Sequence, residues 1–192
     1  MNLPNKLTLS RCILVLPVVI LLLAAPERGW PFWLSSLVLF CIASITDAFD
    51  GSIARKRGLV TNFGKLMDPV ADKLLVTAVF ACFTAQGLCS PWVLIIVLAR
   101  EFLVLSVRMV AASNGTVIPA NIWGKLKTIT QMTAIIVIYA IRVFISLFPQ
   151  LGEALSWLPY IGDALLWLSA AITVVSGIIY CWQSRELFKD IK

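Results

Sequence analysis

Four aspartates raise the first chemical question. Asp47 and Asp50 stand three residues apart, and Asp68 and Asp72 four apart. Either spacing puts both carboxylates of a pair on one face of a helix. Gly51, Ala54 and Gly64 lie between the pairs, and small residues of this kind let a ligand or a second helix approach the backbone. Neighbouring carboxylates repel one another, and in a membrane helix each costs roughly 2.5–3.5 kcal/mol at the centre on insertion scales. Arg55 and Lys73 cannot neutralise all four; divalent cations can. The chain has no histidine, and oxygen donors without histidine or cysteine select Mg2+ or Mn2+ over zinc. Two such ions suit displacement at phosphorus. The plainer alternative is that the aspartates cap helix ends or pair with Arg55, Arg57 and Lys65. Matched spacing on two successive segments argues against it.

A second group is cationic: Arg100, Arg108, Lys125 and Lys127. Arg100 stands near the middle of an apolar stretch and is followed by Glu101. A charge in such a place usually faces a cavity. Several cations converging on one pocket fit a doubly charged phosphate better than a neutral serine-like acceptor. The alternative is ordinary loop charge plus helix pairing around Arg100 and Glu101.

These residues must be positioned by membrane helices. Of the 192 residues, 60% are hydrophobic and 14% charged, too much apolar surface for one soluble core. A crossing helix needs roughly 20 apolar residues. The chain reads as one all-α integral membrane domain over residues 1–192, with six transmembrane helices. The crossings fall near residues 9–25, 31–55, 64–85, 91–112, 120–148 and 157–184. Gly87 and Pro91 make the turn between the third and fourth. A short amphipathic helix over residues 3–11 is expected to lie along the interface before the first crossing. The apolar start resembles a signal peptide, but its removal would delete a crossing and spoil an even count.

Lys and Arg fix the expected orientation. Lys6, Arg11, Arg55, Lys56, Arg57, Lys65, Arg100, Arg108, Lys125, Lys127, Arg185, Lys189 and Lys192 fall on one side, against Arg28 and Arg142 on the other. That asymmetry puts both termini and the aspartates on the cytoplasmic side of the cell membrane. The net charge of +6 then reflects topology and anionic lipid, and the dispersed cations do not suggest nucleic acid. The five cysteines are scattered, without CxxC spacing, and read as small apolar residues.

The run from Asp47 to Asp72 follows D-x2-D-G-x2-A-R-x8-G-x3-D-x3-D without departure. It resembles the signature of the CDP-alcohol phosphatidyltransferases. That resemblance implies a six-helix core in which Asp47, Asp50, Asp68 and Asp72 hold Mg2+ or Mn2+ and Asp72 is also the general base. It further implies a CDP site bordered by Asp47, Asp50, Gly51, Ala54, Arg55 and Gly64. Ala99-Arg100-Glu101 and the G-K-x-K-T-x2-Q run from Gly124 to Gln131 are similar to elements of the family's bacterial branch that uses glycerol 3-phosphate. So is the opening run from Asn2 to Arg11. The expected reaction passes the phosphatidyl group of CDP-diacylglycerol to glycerol 3-phosphate. Thr8, Arg11, Arg100, Arg108, Lys125, Lys127 and Thr128 are the candidate contacts for the acceptor phosphate. The resemblance also implies a homodimer.

Three competitors differ in what they require. A related transferase would take inositol phosphate or serine with no preference for glycerol 3-phosphate. A membrane prenyltransferase also sets aspartates and Mg2+ at a diphosphate, but lacks this D-G-x2-A-R spacing. A carboxylate-lined ion transporter needs a path through the bilayer, and the exterior half offers little beyond Arg28, Arg142, Glu153 and Asp163.

Overall fold

A computed structural model of the chain contains six α-helices and, among the described residues, no strand. The structure describes the backbone of residues 3–56, 62–113, 122–151 and 153–185, and the side chains of residues 12–46, 73–111, 122–151 and 153–185. The helices are α1 (Leu3–Arg28), α2 (Trp30–Lys56), α3 (Asn62–Ala85), α4 (Pro91–Ser113), α5 (Ile122–Leu147) and α6 (Leu158–Gln183).

Turn chemistry sets the boundaries at one end of the bundle. Gly29 alone separates α1 from α2 and has φ +82°, a conformation that a Cβ makes costly. Its N–H closes on the Ala25 carbonyl at 2.9 Å, and Pro31 then sits in the first turn of α2, where a missing N–H is harmless. Helix α3 ends in a Schellman motif. Leu88 N–H donates to the Phe83 carbonyl at 2.8 Å, Gly87 N–H to the Thr84 carbonyl at 3.1 Å, and Gly87 takes φ +71°. Pro91 opens α4, so Gly87 and Pro91 make the turn expected of them.

One expectation is corrected. The short interfacial helix before the first crossing is not a separate element: α1 runs unbroken from Leu3 to Arg28. Pro4 stands in its first turn, where proline is tolerated, and no residue between there and Arg11 breaks a helix.

The helices close a ring. Helix α1 packs on α2 and α3, α5 on α2 and α6, and α4 on α6 and α3, while α3 also touches α5 across the middle. Tyr139 of α5 is fully buried at the apolar heart, against Trp33, Phe40 and Phe83. Its hydroxyl lies 2.8 Å from Ser36 Oγ, which donates to the Val18 carbonyl at 3.0 Å. A buried tyrosine needs such a partner, and here it ties α5 to α2 and α1.

Burial is inverted relative to a soluble protein. Ile13, Leu16, Ile20, Trp92, Phe102, Ile178 and Trp182 are exposed, whereas Ser36, Glu101, Lys127, Gln131, Ser169, Thr173 and Ser176 are buried. Apolar side chains outside and polar ones between helices are what a lipid solvent selects. Among the described residues, α5 and α6, each 26 residues, are long and apolar enough to cross a membrane. The chain is an all-α membrane protein.

Candidate active site

Helix α2 continues through Asp47 and Asp50 to Lys56, and α3 carries Asp68 and Asp72. Both stretches are regular helix, so each pair keeps its shared face. The two pairs lie toward the helix ends that residues 57–61 connect. The side chains of all four aspartates, and of Thr8, Arg11, Ala54 and Arg55, lie outside the described residues, as do the surroundings of Gly51 and Gly64. As a donor set, four carboxylates on two helices fit a hard divalent cation such as Mg2+ or Mn2+.

The described part of the site begins one residue beyond Asp72. Lys73 Nζ lies 2.7 Å from Glu101 Oε2. Lys127 of α5 pairs with the other oxygen of the same carboxylate, and Arg100 Nη1 lies 3.4 Å from it. Glu101 therefore joins α3, α4 and α5 in one ion cluster. Arg100, Glu101 and Lys127 side chains are only 11%, 8% and 7% exposed. Charges this deep must be paired, because removing one partner leaves an uncompensated ion.

Helix α6 completes the setting. Arg100 Nη2 donates to Ser176 Oγ at 2.6 Å. A Cβ on Gly177 would stand 3.1 Å from Arg100 Cγ, so the glycine leaves room for the arginine stem. Gln131 Nε2 donates to Thr173 Oγ1 at 3.3 Å. Two turns beyond Arg100, Arg108 donates from Nε to the Tyr180 hydroxyl at 3.2 Å, with its guanidinium over the Tyr180 ring. Arg100 and Lys127 thus share a cluster, and Arg108 has its own anchor farther along α6.

Lys125 and Thr128 are exposed. The Thr128 hydroxyl bonds back to the Gly124 carbonyl of its own helix at 3.2 Å. Of the face that Gly124, Thr128 and Gln131 share, Gln131 is buried and Gly124 half-buried. Sequence alone marks Arg100 and Lys127 as phosphate contacts, Glu101 as a neighbour and pairing partner of Arg100, and Lys73 as a cation near the aspartates. It does not mark Glu101 as the link between Lys73, Arg100 and Lys127, nor Ser176 and Tyr180 as the seats of the arginines. Glu101 had a signal, an acid in an apolar run beside an arginine. Ser176 and Tyr180 had none.

A model of the family described as CDP-alcohol phosphatidyltransferase matches residues 1–175. The chain belongs to the CDP-alcohol phosphatidyltransferase family. Among similar proteins is a CDP-diacylglycerol--glycerol-3-phosphate 3-phosphatidyltransferase of Bacillus subtilis, 43% identical over 70% of this chain and 74% of its own. One of the same name from Rickettsia typhi is 38% identical over 93% of this chain and 94% of its own. A probable phosphatidylglycerophosphate synthase of Mycobacterium tuberculosis is 39% identical over 70% of this chain and 64% of its own. The family match takes in both aspartate pairs, Arg100, Glu101 and Lys127. It ends just short of Ser176, Gly177 and Tyr180, so the seats of the two arginines lie beyond it.

Proposed function

We propose that this transferase of phospholipid biosynthesis moves the phosphatidyl group of CDP-diacylglycerol to glycerol 3-phosphate, giving phosphatidylglycerophosphate and CMP. The observation that carries the acceptor assignment is the buried cluster beside Asp72, three cations against one carboxylate. Two positive charges in excess match a phosphomonoester dianion and have no counterpart in serine. Relatives bearing the glycerol-3-phosphate name at 38–43% identity support the same acceptor.

In the proposed chemistry, a hydroxyl oxygen of the acceptor bonds to the phosphorus that carries diacylglycerol. The bond from that phosphorus to the CMP oxygen breaks. Asp72 takes the hydroxyl proton, a carboxylate base being reasonable in a chain without histidine. Asp47, Asp50, Asp68 and Asp72 would hold Mg2+ or Mn2+, which when bound neutralises the diphosphate and the charge on departing CMP. Gly51, Ala54, Arg55 and Gly64 border the CDP moiety. Arg100 and Lys127 grip the acceptor phosphate, with Thr8, Arg11, Arg108, Lys125 and Thr128 as further candidate contacts. All six helices cross the cell membrane, both termini and the aspartates face the cytoplasm, and the chain works as a homodimer among membrane lipids.

The test follows CMP release from CDP-diacylglycerol by purified chain in detergent with Mg2+. Glycerol 3-phosphate, serine, inositol and inositol phosphate are offered separately. Release with glycerol 3-phosphate alone, abolished by a chelator and restored by Mg2+, is the expected result. Release with another acceptor would overturn the substrate, and no release from folded protein would overturn the reaction.

A further inference from the structure

Lysine is a poor instrument for precise placement. Its ammonium rides a flexible four-carbon stem with about 2 kcal/mol of rotamer entropy, so something else must hold it where a substrate needs it. Among the described residues, the Lys127 ammonium has one recorded acceptor, the Glu101 carboxylate. The other oxygen of that carboxylate takes Lys73, the chain neighbour of Asp72. One acidic side chain on α4 therefore spans from the helix of the proposed base to the helix of the proposed phosphate cation.

Resting on the acceptor site proposed above, we infer that Glu101 is the positioning residue of that site: it holds the Lys127 ammonium at a set distance from the helix bearing Asp72. Glu101 touches neither substrate nor the reacting atoms; it acts through Lys127. The consequence follows from reaction geometry. A hydroxyl must meet the phosphorus and the base together while its own phosphate is held some atoms away, and an ammonium that is no longer held where that phosphate sits gives up its charge-assisted contact with the acceptor. A carboxylate near a phosphate site could instead compete with the substrate for Lys127. The two roles predict opposite signs: loss of a positioning group weakens the acceptor, whereas loss of a competitor strengthens it.

The experiment measures kcat and both KM values for full-length Glu101→Gln, Glu101→Asp, Lys127→Met and Glu101→Gln/Lys127→Met in detergent, with folding checked by thermal unfolding. Glu101→Gln is expected to raise the KM for glycerol 3-phosphate about tenfold and leave that for CDP-diacylglycerol within about twofold. Once Lys127 is gone, the second substitution should add little to the rise, since both act on one contact. If the glutamine variant does not fold, Glu101→Asp keeps the charge, shortens the reach, and must show the same selective rise. A fall in the acceptor KM, an additive double variant, or a loss of kcat with the acceptor KM unmoved overturns the inference. Lys127→Met separates the two levels. If it raises the acceptor KM while the Glu101 variants do not, positioning alone fails. If it leaves that KM unchanged, the acceptor site fails and the inference with it.

Discussion

Arg100 shows how one buried charge recruits its surroundings. It donates to Ser176 at 2.6 Å, lies beside Glu101, and rests its stem where Gly177 has no Cβ. Ser176→Ala removes the acceptor of a charged hydrogen bond at a buried position, a loss of about 1.5 kcal/mol and thus roughly tenfold. It should appear in the KM for glycerol 3-phosphate, and an unchanged KM would separate Arg100 from the acceptor. Asp72→Asn keeps the size of the side chain but cannot accept the proton. Turnover should fall by roughly 10²–10⁴-fold in protein that still folds, and normal turnover would remove Asp72 as the base. The difference in legibility between these residues is physical. A carboxylate or guanidinium in an apolar run is costly enough to demand a reason, so the aspartates and Arg100 declare themselves. Serine, tyrosine and glycine are ordinary in membrane helices, so Ser176, Tyr180 and Gly177 become visible only once α6 lies against α4.

Helix ends were readable for a related reason. Gly29 and Gly87 take positive φ, and prolines open α2 and α4 within their first turns, so the punctuation is local. The continuity of α1 was less legible, because a polar stretch before an apolar one marks a change of surroundings and not a break in the backbone. Ring order was not legible either. Helices apolar on every side show no single buried face from which a neighbour could be inferred. Close packing between α5 and α6 supplies the test at this scale. A Cβ on Gly162 would meet Ile138 Cγ1 at 2.9 Å, whereas one on Gly124 meets nothing within 4 Å. Gly162→Ala should therefore lower stability by about 1–3 kcal/mol through overpacking. Gly124→Ala should be neutral or raise it by up to about 1 kcal/mol, the helix-propensity gain. Thermal unfolding in detergent compares them, and equal responses would mean that α5 and α6 can part without cost.

The whole molecule carries its charges asymmetrically. Among the described residues, Arg28, Arg142 and Asp163 lie at the end of the bundle where Gly29 and the turn after α3 also lie, and Arg108, Lys125, Lys127 and Arg185 lie toward the other. That excess toward one end is the feature that orients a helical protein during insertion. The six crossings proposed above would put the two termini on one side, and the proposed orientation makes that side the cytoplasm. A fluorescent protein joined after Lys192 should then fluoresce, and alkaline phosphatase joined there should be inactive, because it matures only outside the cytoplasm. The same phosphatase inserted between α5 and α6, within residues 148–157, should be active. The reverse pattern would put the aspartates on the exterior face, away from the cytoplasmic glycerol 3-phosphate the reaction requires. Activity at both positions would mean an even number of crossings between them, leaving α6 outside the membrane or lying along its surface.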